Sequence, residues 1–129
     1  MRIDKLTYVD KAESVIESLQ KVNKFSGEKE LKLTTSKIRN ILSMVSQLYN
    51  DAVRCKETAI DANMQSRVQY LKMRIAYEAG RDKDVKEFVE KSEILLIINE
   101  IGSSKENLIL FCNYMEALVA YHRYLGGKD

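Results

Sequence analysis

The 129-residue chain contains no proline and only five glycines. Proline is the strongest helix breaker, because it lacks an amide donor and clashes with the preceding turn. Without it, and with few other turn signals, abundant Lys, Glu, Leu, Ile and Ala can build long uninterrupted helices. The apolar spacing points the same way. Ile38, Ile41, Leu42, Val45, Leu48, Tyr49, Ala52 and Val53 step by threes and fours, which places them on one face of an α-helix. A strand would alternate in twos.

The same reading along the chain predicts five helices. Val9, Ala12, Val15, Ile16, Leu19 and Val22 give a first helix over residues 9–23. Asn23 to Glu30 reads as a polar connector, and residues 23–33 as a basic loop, either mobile or ordered only by a partner. The second helix begins at about Thr35, and its connection to the third falls within Cys55 to Gln65. The third, about Met64 to Ala79, carries two stripes: Val68, Leu71, Ile75 and Ala79, and Tyr70, Met73 and Tyr77. Two apolar sides predict a central helix gripped by two neighbours, with Gly80 as its stop. The fourth starts at Asp82 or Asp84 and runs on through Ile94–Ile98. A lone strand there would have no partner. Ser104 can cap the fifth helix, about Lys105 to Leu125, which Gly126-Gly127 stops. The expected architecture is all-α: one domain over residues 1–129, a compact bundle of about five helices.

Net charge is only +2, but its distribution is uneven. Residues 21–39 sum to +4 and residues 51–81 to +2, whereas residues 82–107 sum to −3. Such asymmetry suits head-to-tail packing or a one-sided polyanion surface. Met1 is followed by charged residues rather than a secretory apolar region. The longest apolar run, Ile94 to Ile98, is far too short to cross a bilayer, so no membrane partner is expected. Cys55 and Cys112, 57 positions apart, read as reduced thiols of the cytoplasm.

Catalytic readings find little support. His122 is the only histidine and sits on the apolar face of the last helix, so a core or interface role is expected. One His and two scattered Cys make no tetrahedral metal set. Glu87, Glu90 and Glu93 read as a solvated helix face. Glycine-rich phosphate loops are missing, and no cofactor is implied. Neither catalytic nor metal-binding residues are expected.

The cations carry more. Leu33-Thr34-Thr35-Ser36-Lys37-Ile38-Arg39 opens the second helix with three hydroxyl residues, expected to accept from first-turn amides. Lys37 and Arg39 stand where acids would suit the helix dipole better, which makes this mouth attractive to phosphate. Arg67 and Arg74, seven apart, share a ridge of the third helix, and Lys72 lies on the other ridge. Arginine forks suit phosphate oxygens bidentately. Most of the seven tyrosines fall on apolar stripes, and Tyr49, Tyr70, Tyr77 and Tyr114 are expected to pack in the core. No aromatic platform or base-reading signature is present. Nucleic-acid binding would therefore be through the backbone.

Three motifs occur in order: Leu33-Thr34-Thr35-Ser36-Lys37-Ile38-Arg39, then Leu71-Lys72 through Tyr77-Glu78-Ala79-Gly80-Arg81, then Phe111-Cys112-Asn113-Tyr114-Met115-Glu116-Ala117-Leu118-Val119-Ala120-Tyr121. Together they resemble the small subunit of the type III-A CRISPR–Cas (Csm) effector complex, over roughly residues 31–127. The resemblance implies a helical bundle without nuclease activity, several copies of which stack as a filament along guide RNA paired with target RNA. Contacts would be to the sugar-phosphate backbone. Other expected partners are the large subunit and the guide-binding backbone subunits. The family's basic positions carry over to Lys37, Arg39, Lys72 and Arg81. Arg67 and Arg74 join them from the helix ridge. The competing reading is a helical protein–protein adaptor that does not contact RNA.

Overall fold

The longest amphipathic stripes become the longest helices in the computed structural model, which describes all residues, Met1–Asp129. The order is α1 (Tyr8–Leu19), β1 (Lys21–Val22), β2 (Lys29–Glu30), a 3-10 turn (Thr35–Ile38), α2 (Arg39–Arg54), α3 (Ala62–Arg81), α4 (Lys83–Ser92), α5 (Ile94–Asn99) and α6 (Lys105–Tyr124). The helical class holds. Where the sequence predicts five helices there are six, because the fourth is broken after Ser92. Glu93 takes a left-handed conformation (φ 60°) between α4 and α5. Its carboxylate is held by Arg2 and Lys11, each at 3.0 Å, which ties this corner to the start of the chain.

Side-chain caps mark three helix starts. The carboxylate of Asp61 accepts from the Met64 amide (2.8 Å) at α3. Asp82 accepts from Asp84 and Val85 (2.8 and 3.2 Å) at α4. Ser104 accepts from Asn107 (3.0 Å) at α6, as expected. Gly80 does not stop α3, which continues to Arg81 before Asp82 turns the chain into α4.

The centre of the bundle is α6, not α3. It packs against α1 and α2, with additional contact to α5. Leu108, Leu110, Phe111, Cys112, Tyr114, Met115, Ala117, Leu118 and His122 are all buried, so burial wraps most of its circumference. The Tyr114 hydroxyl donates to the Ser92 carbonyl (2.9 Å), and burial raises its pKa. Burial pushes the Cys112 thiol up to about 12, which leaves it an unreactive core residue. His122 is buried too, its ring 2.8 Å from the Leu33 carbonyl.

By contrast, α3 is buried on one side only, through Val68, Leu71, Ile75, Glu78 and Ala79, against α4, α2 and α5. The second stripe lies in solvent: Tyr70, Met73 and Tyr77 are 54, 55 and 55% exposed. The expected core role of Tyr70 and Tyr77 is therefore corrected. The single residue between α3 and α4 lays α4 alongside α3, and no element crosses its outer side.

The basic connector also differs from a plain loop. Lys21–Val22 and Lys29–Glu30 pair as a short antiparallel hairpin, Lys21 opposite Glu30 and Val22 opposite Lys29. Val22, expected on the first helix, instead lies exposed on β1.

Candidate nucleic-acid interface

The six cations singled out from the sequence fall in three places. A furrow between α2 and α3, made of two hollows, is lined by Lys37, Arg67 and Arg81, and Arg74 lies between the two arginines on the same flank of α3. At one end it is lined by Ser36, Lys37, Asn40, Glu78, Arg81 and Asp82, without an apolar residue. Towards the other end it is lined by Met44, Gln47, Leu48, Ser66, Arg67 and Tyr70. Arg67, Arg74 and Arg81 recur every seven residues, or two turns, so they line one flank of α3 at roughly 10 Å intervals. Lys72 lies on the opposite flank of that helix. Arg39 is exposed at the start of α2.

Every cation of the furrow has a carboxylate partner. Arg67 reaches Asp51 on α2 (2.7 Å). Arg74 and Arg81 share Glu78, at 3.1 and 3.7 Å. The Lys37 ammonium contacts Asp84 and Asp82, at 3.0 and 3.3 Å. The hydrogen bond to Asp84 raises the Lys37 pKa, against the opposing effect of burial, with Asp82 adding to the rise. At Asp82, burial pushes the carboxyl up. The amides of Val85 and Asp84, together with Lys37, outweigh it and hold the pKa below the usual range. Arg39 and Lys72 enter no ion pair.

The hydroxyls of the first motif do not cap the helix as expected. Thr34 Oγ1 and Ser36 Oγ pair with each other at 3.0 Å. The Thr35 and Ser36 amides donate instead to the Lys128 and Asp129 carbonyl oxygens, each at 3.0 Å. The end of the chain returns beside Thr34 as a parallel bridge to Lys128. The helix mouth is thus covered by backbone from the far end of the chain, a partner no local pattern could reveal.

Two features of this surface escape a sequence reading. The first is the pairing of arginine with exposed tyrosine. The Arg74 and Arg81 guanidiniums lie 5.1 and 5.5 Å from the Tyr77 ring centroid, within cation–π range. The seven-residue interval shared by Tyr70 and Tyr77 matches that of the arginines, which was the available signal. The second is Glu78, buried between two arginines and acting as their common anchor. Such an arrangement holds guanidiniums extended while leaving N–H donors free, since each offers five.

No three acidic, histidine or cysteine side chains come together in a set that could hold a metal. The His122 ring has only the Leu33 carbonyl as a hydrogen-bond partner. What the surface offers is cations in a row with aromatic rings beside them.

Comparison with known proteins decides the family. The model of the Csm2 family of type III-A systems matches residues 8–128. The chain belongs to the Csm2 family. A "CRISPR system Cms protein Csm2" of Streptococcus thermophilus is 47% identical over 122 residues, covering 95% of this chain and 93% of that protein. The Csm2 of Mycobacterium tuberculosis (strain CDC 1551 / Oshkosh) is 38% identical over 95% of this chain and 94% of its own length. That of Enterococcus italicus is 31% identical, covering 88% and 85%. The resemblance carried by the three motifs is thereby borne out, and all three lie inside the matched span. No helix of this Csm2 chain is long and apolar enough to cross a membrane.

Proposed function

We propose that this chain is a non-catalytic small subunit of a type III-A effector complex in the cytoplasm. It lies along the guide RNA–target RNA duplex and grips the sugar-phosphate backbone without reading sequence. Several copies stack head to tail, beside the guide-binding backbone subunits and the large subunit, and support target binding in antiviral defence. Membership of the Csm2 family supports the setting. The observation that carries the RNA contact is the line Arg67, Arg74 and Arg81 on one flank of α3, with Lys37 across the furrow.

The chemistry follows from the ion pairs. Asp51, Glu78, Asp82 and Asp84 balance Lys37, Arg67, Arg74 and Arg81 one for one. A single copy therefore attracts polyanions modestly. Phosphate oxygens compete for guanidinium donors that the carboxylates have already oriented, so the ordering entropy is reduced. Arg81, with its side chain 61% exposed and its Glu78 contact at 3.7 Å, is the most available. Arg39 and Lys72 add unpaired charge. Linking many weak contacts along one strand then raises the total affinity through effective concentration.

Salt dependence tests this reading. Affinity of the assembled complex for target RNA should fall linearly with salt on a log–log scale, each phosphate neutralised by the protein steepening the slope by about 0.7–0.9. Charge reversal at Arg39 or Lys72 should reduce that slope. An affinity indifferent to salt would refute backbone binding.

The exposed Tyr70–Met73–Tyr77 stripe favours a second reading, a helical adaptor that touches only protein, because Tyr, Met and Arg are enriched in protein interfaces. Crosslinking to RNA in the assembled complex separates the two.

A further inference from the structure

The β1–β2 hairpin carries a feature that the furrow does not use. Phe25, at its tip, is as exposed as in an extended chain, 101%. Leaving a phenylalanine in water forgoes the stabilisation that burial brings. A flexible loop could fold such a ring against the bundle, but this turn is built to hold it out. The Asn23 side-chain oxygen accepts from the Phe25 and Ser26 amides, at 2.8 and 3.1 Å. The Asn23 amide donates to the Glu28 carbonyl (2.7 Å) and the Gly27 amide to the Asn23 carbonyl (2.8 Å). Gly27 supplies the left-handed residue, at φ 75°, that lets the turn close.

The ribbon also has an orientation. Alternate residues face opposite sides. Lys21 reaches Glu87 on α4 (3.1 Å), which turns its side toward the bundle. Val22 and its partner Lys29 then face outward, and both are exposed. Lys24 and Lys29 enter no ion pair, in contrast to the balanced cations of the furrow. Glu28 is the one carboxylate within the tip, so a positive charge remains around the ring.

We infer that the hairpin is a nucleic-acid finger: Phe25 stacks on an unpaired nucleobase of RNA while Lys24 and Lys29 contact the flanking phosphates. An aromatic ring flanked by lysines suits any base, because every base presents a π-face, and it needs no sequence preference. A hydrophobic pocket on a protein is the less suited occupant, since closing over the ring would strip water from two ammonium groups with no carboxylate of their own. The inference rests on the RNA-binding reading above and adds to it a contact with a base.

The chain contains no tryptophan, so Phe25→Trp creates a single fluorescent reporter at the tip. This variant is titrated with single-stranded oligoadenylate RNA and with polyphosphate, a polyanion without bases. RNA should quench the emission and polyphosphate should not. In the assembled complex, Phe25→Ala should weaken target-RNA affinity by about 5- to 100-fold, and Phe25→Trp should retain it. RNA bound with unchanged emission, or full affinity in Phe25→Ala, would overturn the finger and leave backbone binding standing. No RNA binding by the assembled complex at any salt concentration would overturn both. A blue shift on adding the other subunits without RNA would assign the ring to a protein pocket instead.

Discussion

Helices α3 and α6 have the same length, 20 residues each, and both carry apolar residues on more than one side. One is swallowed by the bundle and the other keeps half its surface in water. In α6, residues around most of the circumference are buried, so its identity is dictated by packing. In α3 only one side packs, and the exposed side alternates tyrosine with arginine. The difference teaches that a two-sided apolar helix need not be central. When the second stripe is made of Tyr and Met, residues that keep polarity or pliability, it can be surface held for a partner.

The largest effect should fall on α6. Leu118→Ala, at a fully buried position, should cost about 2–5 kcal/mol in urea unfolding, while Tyr77→Ala should cost under about 1. A Tyr77→Ala loss as large as that of Leu118→Ala would erase the comparison. For RNA the ranking reverses. The double reversal Arg74→Glu with Arg81→Glu should weaken target-RNA affinity of the assembled complex roughly tenfold or more and flatten its log–log salt slope by about 1.4–1.8. Leu118→Ala, measured where it remains folded, should leave the slope unchanged.

Smaller effects sharpen the role of the paired acids. Glu78→Gln keeps the shape but frees both guanidiniums, so RNA affinity should rise a few-fold while stability falls by about 1 kcal/mol. A fall in affinity would mean that the orientation Glu78 gives the two arginines outweighs the charge it takes from them. The smallest change belongs to the Lys37 tie. The Asp82 pKa is depressed, so its stabilisation is present above the ordinary carboxyl value and is lost as pH falls through the lower folded value. The Lys37 pKa is raised, so its contribution is present below the ordinary lysine value and is lost as pH rises through the higher folded value. Asp82→Asn should therefore cost under about 1 kcal/mol at neutral pH, where the Asn can still cap α4. The difference from the parent chain should vanish in strong acid, as urea unfolding at neutral pH and in strong acid would show.

Much of this was legible in the sequence because it is local. Ile41, Val45, Leu48 and Ala52 declare the buried face of α2 by spacing alone. Ser104 declares a cap because its acceptor role concerns an amide three residues away. The seven-residue repeat of Arg67, Arg74 and Arg81 fixes a flank, since helix geometry converts an interval into a direction. What spacing could not supply was the neighbour. Arg67 meets Asp51 from another helix, and Lys37 meets Asp82 and Asp84 from beyond the end of α3. Those partners turn a row of apparently free cations into a balanced one.

The sequence by itself determined that this chain is helical, where most of its helices begin and end to within a few residues though not the break after Ser92, and, through three ordered motifs, which family it belongs to. These follow from backbone preferences and short-range hydrogen bonds, and from residue order. Only the tertiary structure decided that α6 rather than α3 takes the centre, that Tyr70 and Tyr77 stand in water, and that residues 128 and 129 close the mouth beside Thr35. It also decided that the lysine-rich connector is a hairpin aiming Phe25 outward. The first three depend on which distant surface covers an apolar stripe or an unpaired amide. That is a competition among elements far apart in the chain, and no local spacing records its outcome.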